Sequence, residues 1–251
     1  LKKKVLSICL AFLLLIVLLI SLILGISKSN IMNAHDKSDY DNWLNNKTSF
    51  EVKNNLILYK KLKNRQNINI LLLGDDLALS KGKSDAHPGW SNLLVSYIEA
   101  SFKNKVYLES LAQSGDTILE GEKIVTSNPN LENFDLIIIC FGKNDSTNKI
   151  PLSTFQKNYS DLIEALKSKN PACTILTIIP STLPESSDYR HEIENLNSDY
   201  NLKCIDMLDQ FKTSKVEMAT LSTNDFPNDN GYNLYAVSIN DAIIKEVSNL
   251  K

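Results

Sequence analysis

Cysteine is scarce, with four in 251 residues, and no CxxC pair or His/Cys cluster occurs. The chain therefore has neither a disulfide framework nor a zinc-binding motif, and nothing in it asks for a metal or a cofactor. Cys9 sits in an apolar N-terminal run, while Cys140, Cys173 and Cys204 lie in or beside strand-like runs. They read as small buried hydrophobes, with a Cys173–Cys204 bridge left open. An excess of charge of one sign is also missing. Twenty-seven basic residues face 29 acidic ones, a net of -2, so no electrostatic case for nucleic acid arises. Internal repeats of about 20 to 50 residues are absent. The 43% hydrophobic and 22% charged contents exclude a disordered chain.

One stretch lacks charge altogether. Residues 5–26, VLSICLAFLLLIVLLISLILGI, carry no ionisable side chain except the thiol of Cys9. As a helix this run reaches roughly 33 Å, enough for a hydrocarbon core of about 30 Å. Lys2, Lys3 and Lys4 precede it, and the flank beyond mixes Lys28, Asp36, Lys37 and Asp39. The positive-inside rule then places the N-terminus in the cytoplasm and the rest outside. The run is longer than a signal-peptide core and lacks a clear Ala-x-Ala site, which favours an uncleaved anchor. The expected organisation is a Lys flank and membrane anchor over 1–26 and a polar stalk over 27–66. A globular domain follows over 67–251. A helix-like spacing over 50–62 falls within the stalk.

From residue 67 short apolar runs alternate with amphipathic stretches. Strands are expected at 68–73, 106–111, 136–141, 174–179 and 202–205. Helices are expected at 90–102, 118–125, 155–166, 189–200 and 232–247. Strict alternation argues an α/β domain with a parallel sheet covered on both faces. Such sheets carry their sites in the loops after the strands.

Those loops hold Gly74-Asp75-Asp76, then Gln113-Ser114-Gly115-Asp116, then Gly142-Lys143-Asn144-Asp145. Before the last helix stands Thr223-Asn224-Asp225-Phe226-Pro227-Asn228, with Gly231-Tyr232 shortly after. In order and spacing these blocks resemble the SGNH (GDSL-type) hydrolases. The resemblance implies a flavodoxin-like three-layer sandwich with a five-stranded parallel sheet, here preceded by one transmembrane helix. It also implies action on acyl groups, often of envelope glycans. Gly115 and Asn144 match the family's oxyanion-hole positions. The nucleophilic Ser, however, falls on Asp76, the base His on Phe226, and the Asp that orients that His on Thr223.

Phe226 has no lone pair to accept a proton and Asp76 has no hydroxyl to give one. Loss of one member of such a unit can cost about a millionfold in rate. The expectation is a membrane-tethered relative that binds an envelope glycan or acylated ligand without ordinary Ser-esterase turnover. The alternative is a hydrolase with altered chemistry at Asp76. In the first case the Asp76 carboxylate is expected to accept hydrogen bonds from Gly115 and Asn144. His87 and His191 are candidate replacement bases, whereas His35 lies in the stalk. Asp75, Asp145 and Asp229 are expected to hold loop backbone.

Overall fold

The computed structural model describes residues 57–250 apart from Pro129. The chain divides into two compact units, Leu1–Phe50 and Glu51–Lys251, and the described residues all lie in the second. The expected anchor over 5–26, most of the stalk, Cys9 and His35 lie outside the described residues.

Five strands form the sheet: β1 Ile68–Gly74, β2 Val106–Ser110, β3 Leu136–Cys140, β4 Thr174–Ile179 and β5 Lys203–Asp206. All pairs are parallel and the order is β2-β1-β3-β4-β5. Helices α1 Trp90–Phe102, α2 Ile118–Ser127, α4 Leu152–Lys169, α5 Asp188–Asp199 and α7 Asp229–Ser248 provide the connections and the closing element. The fold is an α/β domain with helices on both faces of the sheet, and its strand order is the flavodoxin-like one.

Alternation along the central strands builds two cores. Ile68, Ile70 and Leu72 of β1 face one side with Leu136 and Ile138 of β3, under α1 and α7. Leu71, Leu73, Ile137 and Ile139 face the other side, under α2, α4 and α5. The continuous apolar runs thus belong to strands covered twice. The outer strands differ. Tyr107, Glu109 and Ser110 of β2, and Lys203 and Cys204 of β5, are exposed because each lies at an edge. A helical stretch at 57–63 buries Leu58, Tyr59 and Leu62 in the α1/α7 core, so this part of the expected stalk packs as domain. Cys140, Cys173 and Cys204 are free thiols.

Three elements have no counterpart in the sequence reading. A short helix α3, Lys143–Thr147, follows β3, and α6, Met207–Thr213, follows β5. Asp206 starts α6 by accepting from Leu208 N at 3.0 Å and Asp209 N at 3.2 Å. A two-stranded antiparallel hairpin, β6 Ser222–Thr223 with β7 Phe226–Pro227, precedes α7. Its turn residues Asn224 and Asp225 both have positive φ, 52° and 63°, the backbone of a two-residue hairpin turn.

Candidate active site

The site lies where β1, β2 and β3 end, beside the β6–β7 hairpin. Two buried carboxylates form its floor. Asp75 Oδ1 accepts from Leu77 N at 2.9 Å and Asp75 Oδ2 from Asn144 N at 3.4 Å, which ties the β1 loop to α3. Burial pushes the Asp75 carboxyl up to about 7; the two backbone N–H groups oppose this and the nearby Asp145 and Asp76 charges add to it. Asp145 Oδ1 accepts from Ile118 N at 3.1 Å and so ties α3 to the start of α2. Burial raises Asp145 to about 6 against that bond.

Asp76, the position expected to carry the nucleophile, is 4% exposed. Its Oδ1 accepts from Ser114 Oγ at 2.5 Å, and its Oδ2 meets Lys81 Nζ at 3.2 Å. Burial alone would raise its carboxyl. The Ser114 hydroxyl, the Lys81 ammonium and the Asn144 amide together outweigh burial and hold it below the usual range. Asn144 Nδ2 also donates to Asp116 O at 3.0 Å, so the amide is shared. The expected pairing with the Gly115 N–H is corrected: Ser114 and Lys81 are the direct partners. Gly115 has φ +88°, and a side chain added there would meet nothing within 4 Å, so the space above it is open.

Lys81 is positioned from both sides. Tyr232 Oη donates to Lys81 O at 2.6 Å. A Cβ on the next residue, Gly82, would stand 2.7 Å from Phe226 Cβ and from Pro227 O. The loop can follow this path only because residue 82 has no side chain. Lower down, the Trp90 indole donates to Leu77 O at 2.9 Å, and Trp90 N donates to Ser80 Oγ at 3.0 Å.

The two positions expected to match the rest of a triad form one cross-strand pair, Thr223 opposite Phe226. Thr223 Oγ1 accepts from Asn228 Nδ2 at 3.3 Å. Lys81 Nζ stands 5.0 Å and Lys143 Nζ 5.6 Å from the centre of the Phe226 ring. An aromatic ring within reach of two ammonium groups thus stands at the position expected to carry the base.

Neither candidate replacement base faces Asp76. His87 Nδ1 accepts from Gly89 N at 3.1 Å, which leaves Nε2 to carry the proton toward Asn233 Oδ1 at 3.3 Å. His191 is exposed on α5 and meets Glu194 at 3.2 Å. Asp229 clasps the β1–α1 loop, accepting from Ser84 N at 2.8 Å and Ser84 Oγ at 2.7 Å. Ser114, Lys81 and Lys143 were not singled out in the sequence, although Ser114 and Lys143 lie inside two of the motif blocks.

The profile of the GDSL-like Lipase/Acylhydrolase family matches residues 72–234, and the chain belongs to that family. Solved structures share its fold. A two-domain esterase (CEX) active on acetylated mannans superposes with TM-score 0.65 at 17% identity, over 80% of this chain and 54% of that one. The chain thus spans about half the length of that esterase. The psychrotrophic esterase EstA from Pseudoalteromonas sp. has TM-score 0.57 and 23% identity, covering 72% of this chain and 99% of its own. An acetyl xylan esterase from Geobacillus stearothermophilus gives 0.54 and 15%, over 70% and 94%. No curated protein matches the chain.

Proposed function

We propose that this protein is a membrane-anchored, extracytoplasmic relative of the esterases that binds an acylated envelope glycan without ordinary Ser-esterase turnover. One observation carries the reading. The nucleophile position holds a carboxylate that is already satisfied by Ser114 and Lys81. A carboxylate there cannot do the work of an activated hydroxyl, and an aromatic ring at the base position cannot remove a proton. The open space above Gly115 remains for an acyl group to enter. The acetylated polysaccharides handled by two of the solved relatives support an acetylated glycan as ligand. The uncharged run over 5–26 supports the anchor.

A second reading has its own observation. Ser114 Oγ lies 2.5 Å from Asp76 Oδ1 beside that open space, the spacing of a nucleophile and its base. In that chemistry Ser114 Oγ bonds to the acyl carbon and its proton passes to Asp76. The ester C–O bond then breaks, the leaving alcohol takes the proton, and water releases the acid. The lowered Asp76 carboxyl weakens it as a base, which ranks this reading second.

The test is hydrolysis of an aryl acetate by the full chain, alongside calorimetric binding of an acetylated oligosaccharide. Binding without turnover supports the first reading. Turnover that disappears in both Asp76→Asn and Ser114→Ala replaces it with the second.

A further inference from the structure

Three separate segments converge at the rim of the cleft. Lys81 comes from the loop after β1, Lys143 is the first residue of α3, and Phe226 lies in β7. Both ammonium groups reach the same ring, at 5.0 and 5.6 Å from its centre. Among the described residues only Lys81 of the two has a carboxylate partner, Asp76 at 3.2 Å, whereas Lys143 meets the neutral Thr147 hydroxyl at 3.1 Å. Asp75 and Asp145 are fully buried behind the cleft and are occupied by backbone N–H groups. Two cations reach one ring, and Asp76 is paired with Lys81 alone, which leaves the Lys143 charge at the rim without a carboxylate among the described residues. Like charges held together by three elements repel, and an incoming anion relieves that repulsion.

The arrangement is also built in. The Lys81 backbone is held by Tyr232, Gly82 lies directly against Phe226 and Pro227, and the left-handed turn at 224–225 fixes the ring. The ring further screens one side of each ammonium group from water while attracting it. In a chain of net charge -2, this rim opposes the overall sign.

The geometry points to an anionic glycan as the ligand of this cleft, its carboxylate or phosphate oxygens bridging Lys81 and Lys143 across the Phe226 ring. The inference rests on the proposed glycan-binding function and adds the charge of the ligand. A uronate carboxylate and a polyol phosphodiester share the chemistry required, and the experiment separates them.

Calorimetric titrations of the full chain at low ionic strength would use four probes. They are a trigalacturonate, a glycerol-phosphate trimer, a neutral galactose trisaccharide and an acetylated neutral oligosaccharide. The expected result is that one of the two anionic probes binds at least about fivefold more tightly than the neutral trisaccharide. That preference falls with added salt. Lys143→Met abolishes it and Lys143→Arg restores it, with unchanged thermal midpoints showing that both variants fold. Equal affinity for charged and neutral trisaccharides overturns the inference, as does a preference that survives Lys143→Met. If the acetylated probe binds but neither anion is preferred, the inference fails alone. If no probe binds, the proposed function fails with it.

Discussion

The Ser114 hydroxyl donates to the Asp76 carboxylate at 2.5 Å, joining the loop after β2 to the loop after β1 across the mouth of the cleft. With Lys81 on its other oxygen, Asp76 is a partnered anion. This pair sets the electrostatics of the site, and its removal has a calculable direction.

Lys81→Met leaves Asp76 buried with the Ser114 bond but without its counter-charge. The Lys81 side chain is 52% exposed, so solvent screens the pair and the loss at neutral pH is about 0.5 to 1 kcal/mol. The Asp76 carboxyl is lowered in the fold, so its stabilisation is present above its unfolded value and lost as pH falls through the folded one. Urea melts of both proteins should therefore differ at pH 7 and converge as pH falls through the lowered folded value of Asp76. A constant gap across that range contradicts the ion-pair account.

Asp75 has the opposite sign. Its folded value of about 7 exceeds the ordinary 3.8. The folded state holds a proton that the unfolded state has released, so stability is greatest below the unfolded value. It declines as pH rises from about 4 to 7 and then levels off. Asp75→Asn loses an acceptor toward Leu77 or Asn144 and is less stable at acid pH. Its pH dependence over that window should nonetheless be flatter. Thermal midpoints at pH 4.5, 6 and 8 measure the slope, and an unchanged slope rejects burial as the cause.

Two glycines at the site separate strain from steric clash. Both have positive φ, 88° at Gly115 and 101° at Gly82. Gly115→Ala meets open space and carries only the backbone strain, about 1 kcal/mol. Gly82→Ala adds contacts of 2.7 Å to Phe226 Cβ and Pro227 O, and one of these is backbone that cannot swing away. It should cost at least about 2 kcal/mol more and displace Lys81 from Asp76. Equal losses in chemical denaturation would show that the loop relaxes freely.

The fold was legible because local pattern and tertiary role agree along the central strands. Leu136–Cys140 is apolar at every position because both faces are covered, and β4 spans 174–179 as its composition implies. The helix over 90–102 matched to the residue. The unforeseen elements have weak local signals. Lys143–Thr147 is polar and forms a helix because Asp75 accepts from its Asn144 N–H and its own Asp145 side chain anchors it to Ile118 N at the start of α2. The hairpin turns on Asn224-Asp225, which lacks the glycine that usually marks such a turn. At the site, the motif blocks located Asp76, Gly115, Asn144, Thr223 and Phe226. Sequence order could not tell which donors would reach Asp76. Lys81 follows it by five residues, and the turn over 77–80, with Ser80 at φ 60° and Lys81 N donating to Asp76 O at 2.9 Å, folds that lysine back onto the carboxylate.

The cross-strand pairing of residues 223 and 226 gives the most demanding test of whether the site is a spent triad. Directly opposed residues of an antiparallel pair have Cβ atoms about 4.5 to 5.5 Å apart. In the triple variant Asp76→Ser/Thr223→Asp/Phe226→His, the new carboxylate can then reach and orient the new imidazole. Removal of the Asp76 charge frees Lys81, and Lys81 and Lys143 both flank the imidazole at 226. Their like charge disfavours the imidazolium and opposes the upward pull of the new carboxylate, which favours a base that is neutral at pH 7. The expected outcome is aryl-acetate turnover at least about a hundredfold above the parent chain, with a pH–rate rise in the acid range. Lys143→Met in the triple background should shift that rise upward, because one repelling charge is gone. If the triple variant folds and remains inert, the cleft no longer accepts an acyl group, and the retained Gly115 and Asn144 positions are relics of the fold rather than parts of a working site.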